Sequence, residues 1–248
     1  MFLRTDQAGS ARLAVTDRYG GSSPTPYDEL NLGTHVGDDP AHVGFNRWLL
    51  GERLAVPPDH LAFMQQVHGI GVAVVDGPPA AGHPLPEADA LVTTRAGLGL
   101  VVLVADCAPV LLAGTRDDGA GVVGVAHAGR RGMAGGIVAA TLTSMQNQGV
   151  DPAGIVALVG PTICGRCYEV PESLQAEVAD IEPAARSTSR SGTPALDVRA
   201  GVVAQLRAAG VASVDVDLTC TAESAALYSH RRDGVTGRFA GIAVLSAG

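Results

Sequence analysis

Three consecutive apolar segments near the middle of the chain constrain its fold more than any other feature. They read LGLVVLVADC (98–107), PVLLAG (109–114) and GVVGVAH (121–127). Each is apolar over most of its length and does not alternate with polar residues, which is typical of strands buried on both faces. We therefore expect three central strands of a β-structure that other elements cover on both sides.

The flanking segments predict helices and further strands around these three. Asp38, Asp39 and Pro40 are typical of a helix start, and the residues that follow place Val43 and Leu54 on one helix face. The other predicted elements are an edge strand at 12–16, helices at 132–150, 171–181 and 196–209, and strands LAFMQQV, GVAVV, IVALVG, SVDVDL and FAGIAVL. No repeat and no linker divides the sequence, so we predict one α+β domain over residues 1–248, with mixed β-sheets and flanking helices.

Charge and hydropathy limit the partners that such a domain can have. The net charge is −8, and no basic stretch is present that could neutralise a nucleic-acid backbone. The N-terminal segment lacks the apolar core of a signal peptide, and the longest apolar run is too short to span a membrane. These features predict a soluble cytoplasmic protein that binds small molecules, and they say nothing about its oligomeric state.

Three residues that follow predicted strands could bind a metal ion together. They are His68 in QQVHG, Cys107 in VADCAPV and His127 in VAHAG. Two imidazoles and one thiolate suit zinc, with a fourth position left for water or substrate, and they also suit copper. Two other interpretations stay open at this point: isolated strand-end residues with purely structural roles, and a nucleophilic Cys107 with either histidine as its base.

The remaining cysteines are Cys164, Cys167 and Cys220. The C-x-x-C pair at 164–167 has no second C-x-x-C that would complete a zinc ribbon, and its position is not typical of a thioredoxin-type redox motif. We expect these thiols to be structural or incidental.

Several ungapped blocks of the sequence resemble the YfiH-like laccase-domain family. The blocks are RYGGSSPTPYDELNLGTHVGDDPAHVGFNR, QQVHG, ADALVTTRAGLGLVVLVADCAPVLL, VVGVAHAGRRG, VGPTICGRCYEV, LDVRAGVVAQLRAAGV and RRDGVTGR. The resemblance implies an α+β fold of the cytotoxic necrotising factor type, with metal ligands at His68, Cys107 and His127. It also implies zinc-dependent phosphorolysis of adenosine, inosine and methylthioadenosine, together with deamination of adenosine.

The resemblance suggests roles for further residues. We expect Arg131 to hold phosphate at the start of a glycine-rich helix, and Asp106 to orient a ligand histidine or to act as an acid or base. Substrate contacts are expected from Asn31, His35, Gln66 and Arg130. Arg130 stands where relatives usually have Trp, and Arg166 precedes Cys167 where relatives usually have adjacent cysteines.

Three other functions are compatible with the same family. One is a copper-dependent polyphenol oxidase, although no two of the seven histidines form the His-x-His pairs that multicopper oxidases use. Another is an amidase that edits cytoplasmic peptidoglycan precursors. The third is a partner-binding module with no catalytic role.

Overall fold

The structure is a computed structural model that describes residues 1–78 and 82–246. Within these residues the chain forms thirteen strands and six α-helices. The strands are β1 (Phe2–Ala8), β2 (Ala11–Thr16), β3 (Leu61–Ala62), β4 (Val72–Val74), β5 (Ala90–Thr93), β6 (Gly99–Val104), β7 (Ala108–Thr115), β8 (Gly121–Ala128), β9 (Val156–Val159), β10 (Arg186–Thr188), β11 (Pro194–Leu196), β12 (Ser213–Val216) and β13 (Phe239–Leu245). The helices are α1 (Pro40–Leu54), α2 (Arg130–Gly135), α3 (Ile137–Asn147), α4 (Glu172–Ile181), α5 (Val198–Ala208) and α6 (His230–Asp233).

The elements stack in four layers. A five-stranded sheet with the order β1-β2-β13-β6-β3 faces a six-stranded sheet with the order β12-β9-β7-β8-β5-β4. One apolar cluster fills the space between the two sheets, a second lies between the six-stranded sheet and α3 and α5, and a third lies between the five-stranded sheet and α1. Each sheet contains parallel and antiparallel pairs. The prediction of mixed sheets with flanking helices is confirmed.

The three apolar segments are central strands, as predicted. In β6, alternate side chains face opposite layers: Leu100 and Val102 pack between the sheets, whereas Val101 and Leu103 pack toward α1. β7 and β8 likewise contribute to the clusters on both faces of the six-stranded sheet. An apolar residue is therefore required at every position, which explains why these segments show no polar alternation.

Three predicted elements differ in the structure. Of the strand predicted at LAFMQQV (61–67), only Leu61–Ala62 is regular. The strand at 12–16 is not an edge strand, because β1 pairs with one side of β2 and β13 with the other. The helix predicted from 132 to 150 is divided into α2 and α3 at Gly136, which has a left-handed backbone with φ of 98°. Helix α1 begins after Asp39, whose side chain accepts a hydrogen bond from the Ala41 amide, so the predicted helix start is confirmed.

The connection between β6 and β7 passes from one sheet to the other. Only Ala105, Asp106 and Cys107 separate the two strands, and Asp106 adopts a left-handed backbone with φ of 94°. This sharp turn places Cys107 at the boundary between the sheets. None of the helices in the described part of the chain is long and apolar enough to span a bilayer.

Candidate metal centre and active-site pocket

Strand register brings His127 and Cys107 together. β7 and β8 are antiparallel, with Pro109 opposite His127 and Ala108 opposite Ala128. Cys107 directly precedes β7 and therefore lies beside the end of β8, where His127 stands. A sequence separation of 20 residues becomes a short distance because the strands form a hairpin.

His68 lies beside Cys107 and His127, in a turn that is held by the buried carboxylate of Asp89. Asp89 accepts hydrogen bonds from the amides of Val67 (3.3 Å), His68 (2.9 Å) and Gly69 (2.6 Å). The same carboxylate lies 2.8 Å from His127 Nδ1, and its residue has no exposed surface. Asp89 therefore fixes two of the three predicted ligands at once and directs the other ring nitrogen of His127 away from itself.

The three predicted ligands form a group whose geometry suits one metal ion. Their donor atoms all lie within 4.8 Å of one another, and Cys107 Sγ is 3.9 Å from His68 Nε2. The rings of His68 and His127 meet edge to face, with centroids 4.6 Å apart. Zinc bonds of about 2.0–2.3 Å to nitrogen and sulfur can be made from these positions with little movement. Two imidazoles and a thiolate thus fit a zinc-type ion and leave room for a fourth ligand.

Gly129 lies where the chain passes these ligands with little space for a side chain. A Cβ atom on Gly129 would lie 3.0 Å from Cys107 Sγ and 3.0 Å from His68 Cδ2. Any side chain at this position would therefore press on two donors of the group. The glycine of the VAHAG motif follows from this packing, independently of any turn.

The charges of Cys107 and His127 depend on each other. Burial alone would raise the pKa of the Cys107 thiol, but His127 and His68 outweigh it and lower that pKa to about 6. Burial would likewise lower the pKa of His127, but the Cys107 thiolate and Asp89 raise it to about 9. The pair therefore carries a thiolate and an imidazolium at neutral pH, and a divalent cation would replace the imidazolium proton as the positive partner.

The metal-ligand group opens into a pocket of about 480 Å³, a size typical of small-molecule sites. Its walls combine polar groups with apolar side chains from β6, α5 and the loops after β9. The lining residues are His35, Gln66, His68, Leu103, Val104, Ala105, Asp106, Cys107, His127, Arg130, Ile163, Tyr168, Val198, His230, Arg231 and Arg238.

Three arginines line the pocket, and Arg131 is not among them. Arg130, Arg231 and Arg238 contribute to the walls, whereas Arg131 is exposed on the neighbouring surface of α2. Consecutive helix residues point about 100° apart, so only one of the pair can face the pocket. The structure therefore does not bring Arg131 into the pocket, where Arg130 stands with a guanidinium that has no hydrogen-bond partner within residues 1–78 and 82–246.

Asp106 and Gln66 line the pocket, but their polar atoms are bound to the protein. The Asp106 carboxylate accepts hydrogen bonds from Thr221 Oγ1 (2.5 Å), Ser229 Oγ (2.7 Å) and the Arg231 amide (2.7 Å). The Gln66 amide group bonds both backbone polar groups of Leu103, at 2.8 and 2.9 Å. Both side chains hold the walls in place. The carboxylate that contacts a predicted ligand histidine is that of Asp89, which bonds His127, and not that of Asp106.

His35 lines the pocket and Asn31 does not. Burial, followed by the nearby cations Arg238 and Arg47, lowers the pKa of His35, which favours the neutral ring. Asn31 is fully buried and bonds Gly33, Asp38 and the Arg238 amide. The Asn31 side chain therefore holds together the segment that contains His35 and the start of β13, next to Arg238.

Sequence reasoning missed four polar or aromatic pocket residues and the carboxylate behind the predicted ligands. The four are Tyr168, His230, Arg231 and Arg238. The last three lie in or near RRDGVTGR, a block used only for the resemblance. Asp89 had a visible signal, since it is the one charged residue in EADALVTT that directly enters an apolar strand.

Comparison with known proteins identifies the family. Residues 12–246 match the family model described as multi-copper polyphenol oxidoreductase laccase. The chain belongs to this family. It is 54% identical to purine nucleoside phosphorylase ORF3 of Streptomyces griseus over 233 residues, which cover 94% of each chain. It is 52% identical to a purine nucleoside phosphorylase of Streptomyces coelicolor over 241 residues, which cover 97% of this chain and 98% of the relative.

Solved structures of the family have the same fold. YlmD from Geobacillus stearothermophilus superposes with a TM-score of 0.85 at 34% identity, covering 97% of this chain and 93% of that one. Protein NMB0706 from Neisseria meningitidis superposes with a TM-score of 0.86 at 34% identity, covering 99% of both chains. The predicted family membership and fold are thus confirmed.

Proposed function

We propose that this protein is a metal-dependent purine nucleoside phosphorylase that acts on adenosine, inosine and methylthioadenosine and deaminates adenosine as a side reaction. One observation carries the proposal: a single pocket places the His68–Cys107–His127 group beside three arginines and an apolar wall. The names of relatives that share more than half of the sequence support the same reaction.

The arginines supply the anion site that phosphorolysis requires. Arg130 has a guanidinium with no protein partner among the described residues and would bind phosphate through two parallel hydrogen bonds. Arg238 uses one nitrogen to bond the Thr236 and Gly237 carbonyls, at 3.0 and 2.9 Å, which leaves the rest of its guanidinium for the pocket. Arg231 stacks over the Tyr168 ring, 5.0 Å from its centroid, and is a third source of positive charge.

The apolar wall provides a surface for the purine base. Tyr168, Ile163 and Val198 line the pocket, and a flat base would stack against the Tyr168 ring. By the family resemblance seen in the sequence, Arg130 stands where a tryptophan is usual, which would place a cation in this pocket instead of an aromatic ring. His35, held neutral, would donate or accept one hydrogen bond at the substrate.

In the proposed reaction, a phosphate oxygen forms a bond to C1′ of the ribose while the C1′–N9 bond breaks. The electron pair of that bond leaves with the base, which takes up a proton, and the products are the free base and ribose 1-phosphate. A metal ion held by His68, Cys107 and His127 would supply Lewis-acid polarisation of a bound oxygen or nitrogen atom. The arginines would hold the phosphate against C1′ as positive charge develops on the sugar.

The experiment is to incubate the zinc-loaded protein with adenosine, with and without phosphate, and to separate the products. Adenine and ribose 1-phosphate that appear only with phosphate would support phosphorolysis, and inosine in both samples would support deamination. Cys107→Ser should abolish both reactions, whereas Glu52→Gln on an exposed face of α1 should leave them unchanged. Release of adenine that does not depend on phosphate would contradict the proposal.

The alternatives predict different products in matched samples. A copper polyphenol oxidase would oxidise a phenol after loading with copper, yet the described residues contain only one metal-ligand group with histidines, which falls short of a multicopper set. An amidase would release an amino acid from an amino-acyl sugar nucleotide without phosphate. Inactivity in all three assays would favour a binding module.

A further inference from the structure

Two short turns with the same hydrogen bonding face each other outside the pocket. In the first, the amides of Cys167 and Tyr168 both donate to the Cys164 carbonyl, at 2.9 and 3.1 Å. In the second, the amides of Glu223 and Ser224 both donate to the Cys220 carbonyl, at 3.1 and 3.0 Å. Each turn therefore presents two metal-binding side chains three residues apart, as C-x-x-C and as C-x-x-E.

The two turns are joined so that their four side chains converge. Thr162 and Cys220 form a parallel β-bridge, and the Cys164 amide donates to Cys220 Sγ at 3.3 Å. Cys167 Sγ lies 3.1 Å from Glu223 Oε1. The donor atoms of all four side chains lie within 4.8 Å of one another, and the three cysteines are free thiols.

We propose that Cys164, Cys167, Cys220 and Glu223 bind a second divalent metal ion of the zinc type, in a closed four-ligand site distinct from the pocket. Three sulfurs and one oxygen from two turns match the ligand number and the x-x spacing of structural zinc sites. None of the four residues lines the pocket. The C-x-x-C pair supplies two ligands, and the C-x-x-E pair of Cys220 and Glu223 supplies the other two. A second C-x-x-C is therefore not needed.

The surroundings suit the charge of such a site. Three thiolates and a carboxylate around a divalent ion carry a net charge of −2. Arg190 forms an ion pair with Glu223, and Arg232 donates to the Thr221 carbonyl at 3.0 Å within the second turn.

A metal ion at this site would fix the two loops that form hydrogen bonds with Asp106 in the β6–β7 turn. Thr162 Oγ1 and the Ile163 amide bond the Asp106 carbonyl at 2.5 and 3.0 Å, and Thr221 Oγ1 bonds its carboxylate. The loop with Thr162 and Ile163 also supplies Cys164 and Cys167, and the loop with Thr221 also supplies Cys220 and Glu223. Both loops therefore connect Asp106 to the proposed metal site. Metal there would hold the wall next to Cys107 without contact with the substrate.

The test uses a protein in which the pocket group is disabled by His68→Asn and Cys107→Ser. We expect this variant to retain one equivalent of Co²⁺ with the near-ultraviolet absorption of thiolate ligation. Glu223→Gln added to it should weaken Co²⁺ binding at least tenfold, and replacement of Cys164, Cys167 and Cys220 together by Ser should abolish the absorption. Glu169→Gln, which changes an exposed carboxylate outside the group, is the matched control and should change nothing.

A second measurement needs no substitution. In the wild-type protein, Zn²⁺ should slow alkylation of Cys164, Cys167 and Cys220 at least tenfold, and a chelator should reverse the effect. The proposal is overturned if the disabled variant binds no metal, if its Co²⁺ absorption survives replacement of all three cysteines by Ser, or if Zn²⁺ leaves the alkylation unchanged. A disulfide among these cysteines in protein prepared without oxygen would also overturn it. None of these outcomes depends on the nucleoside reaction, so they are distinguishable from a failure of the proposed function.

Discussion

At the scale of single residues, Asp89 holds the His68–Cys107–His127 group in its geometry. It bonds three consecutive amides around His68 as well as the ring of His127. Asp89→Asn keeps the size of the side chain but removes the charge and one acceptor. We expect zinc affinity to fall by about 10–100-fold, as is typical when a carboxylate behind a ligand histidine is lost.

Competition with a chelator of known affinity would measure this change. Asp59→Asn, at an exposed position in the short 3₁₀ turn before β3, is the control and should bind zinc like the wild type. Equal affinity for zinc in Asp89→Asn and wild type would show that Asp89 serves the fold only.

Arg130 and Arg131 are neighbours that the sequence cannot distinguish but that the structure places differently. Only Arg130 lines the pocket. If phosphate binds there, Arg130→Ala loses a charge-assisted contact of about 1.5–3 kcal/mol, which lowers the phosphate-dependent rate by about one to two decades. Arg131→Ala should change it less than twofold.

A phosphate titration of both variants with adenosine measures the effect. Arg130→Lys should recover only part of the rate, because an ammonium group cannot reproduce the two parallel hydrogen bonds of a guanidinium. A larger loss in Arg131→Ala than in Arg130→Ala would return the anion site to the position first expected from the sequence.

The sequence singled out the three side chains that converge at the pocket but not most of the residues around them. His68, Cys107 and His127 follow apolar segments in the sequence, so residue types that can bind metal are recognisable there at predicted strand ends. Arg238 reaches the pocket only because β13 pairs with β2 and β6, contacts that span most of the chain. Local patterns carry no information about such pairing, so Arg238 could not be assigned from sequence.

At the scale of elements, two glycines should respond to alanine in opposite directions. Gly136 joins α2 to α3 with φ of 98°, a conformation that costs a residue with a Cβ about 1–2 kcal/mol. Gly44 lies on the exposed face of α1, where a Cβ would meet no atom within 4 Å. We expect Gly136→Ala to lower the free energy of unfolding by about that amount and Gly44→Ala to raise it by about 0.5–1 kcal/mol.

Denaturant unfolding of both variants beside the wild type tests the pair. Gly154→Ala, at another open position with no left-handed backbone, controls for the added methyl group. If Gly136→Ala and Gly44→Ala changed the free energy of unfolding in the same direction, the left-handed backbone at Gly136 would not be the reason for glycine at this position.

The accuracy of the predicted elements follows their burial. β6, β7 and β8 are apolar on both faces and were found from sequence, whereas β1 alternates exposed and half-buried residues and was missed. The break at Gly136 was also missed, because the residues on both sides continue a helical pattern. Strong burial leaves a clear sequence signal, and a single backbone dihedral does not.

At the scale of the whole molecule, the pocket lies where the chain passes between the two sheets. The β6–β7 turn supplies Cys107, the end of β8 supplies His127, and a turn before β4 supplies His68. These three parts come from sequence positions up to 59 residues apart, so a metal ion that binds all three ties together segments that separate when the protein unfolds. Metal binding and folding must therefore be coupled.

The coupling predicts a rise in melting temperature with zinc that depends on His68. At a free zinc concentration one hundred times the dissociation constant, one site stabilises the folded state by about 2.7 kcal/mol. For a chain of this size, that corresponds to about 5–11 °C. His68→Asn removes one ligand while asparagine tolerates the left-handed backbone found at this position, where φ is 60°. The difference between the zinc-induced shifts of wild type and His68→Asn isolates the contribution of the pocket site, since any ion at Cys164, Cys167, Cys220 and Glu223 contributes to both. Equal shifts in the two proteins, measured by calorimetry with and without chelator, would show that His68 does not bind the ion that stabilises the fold.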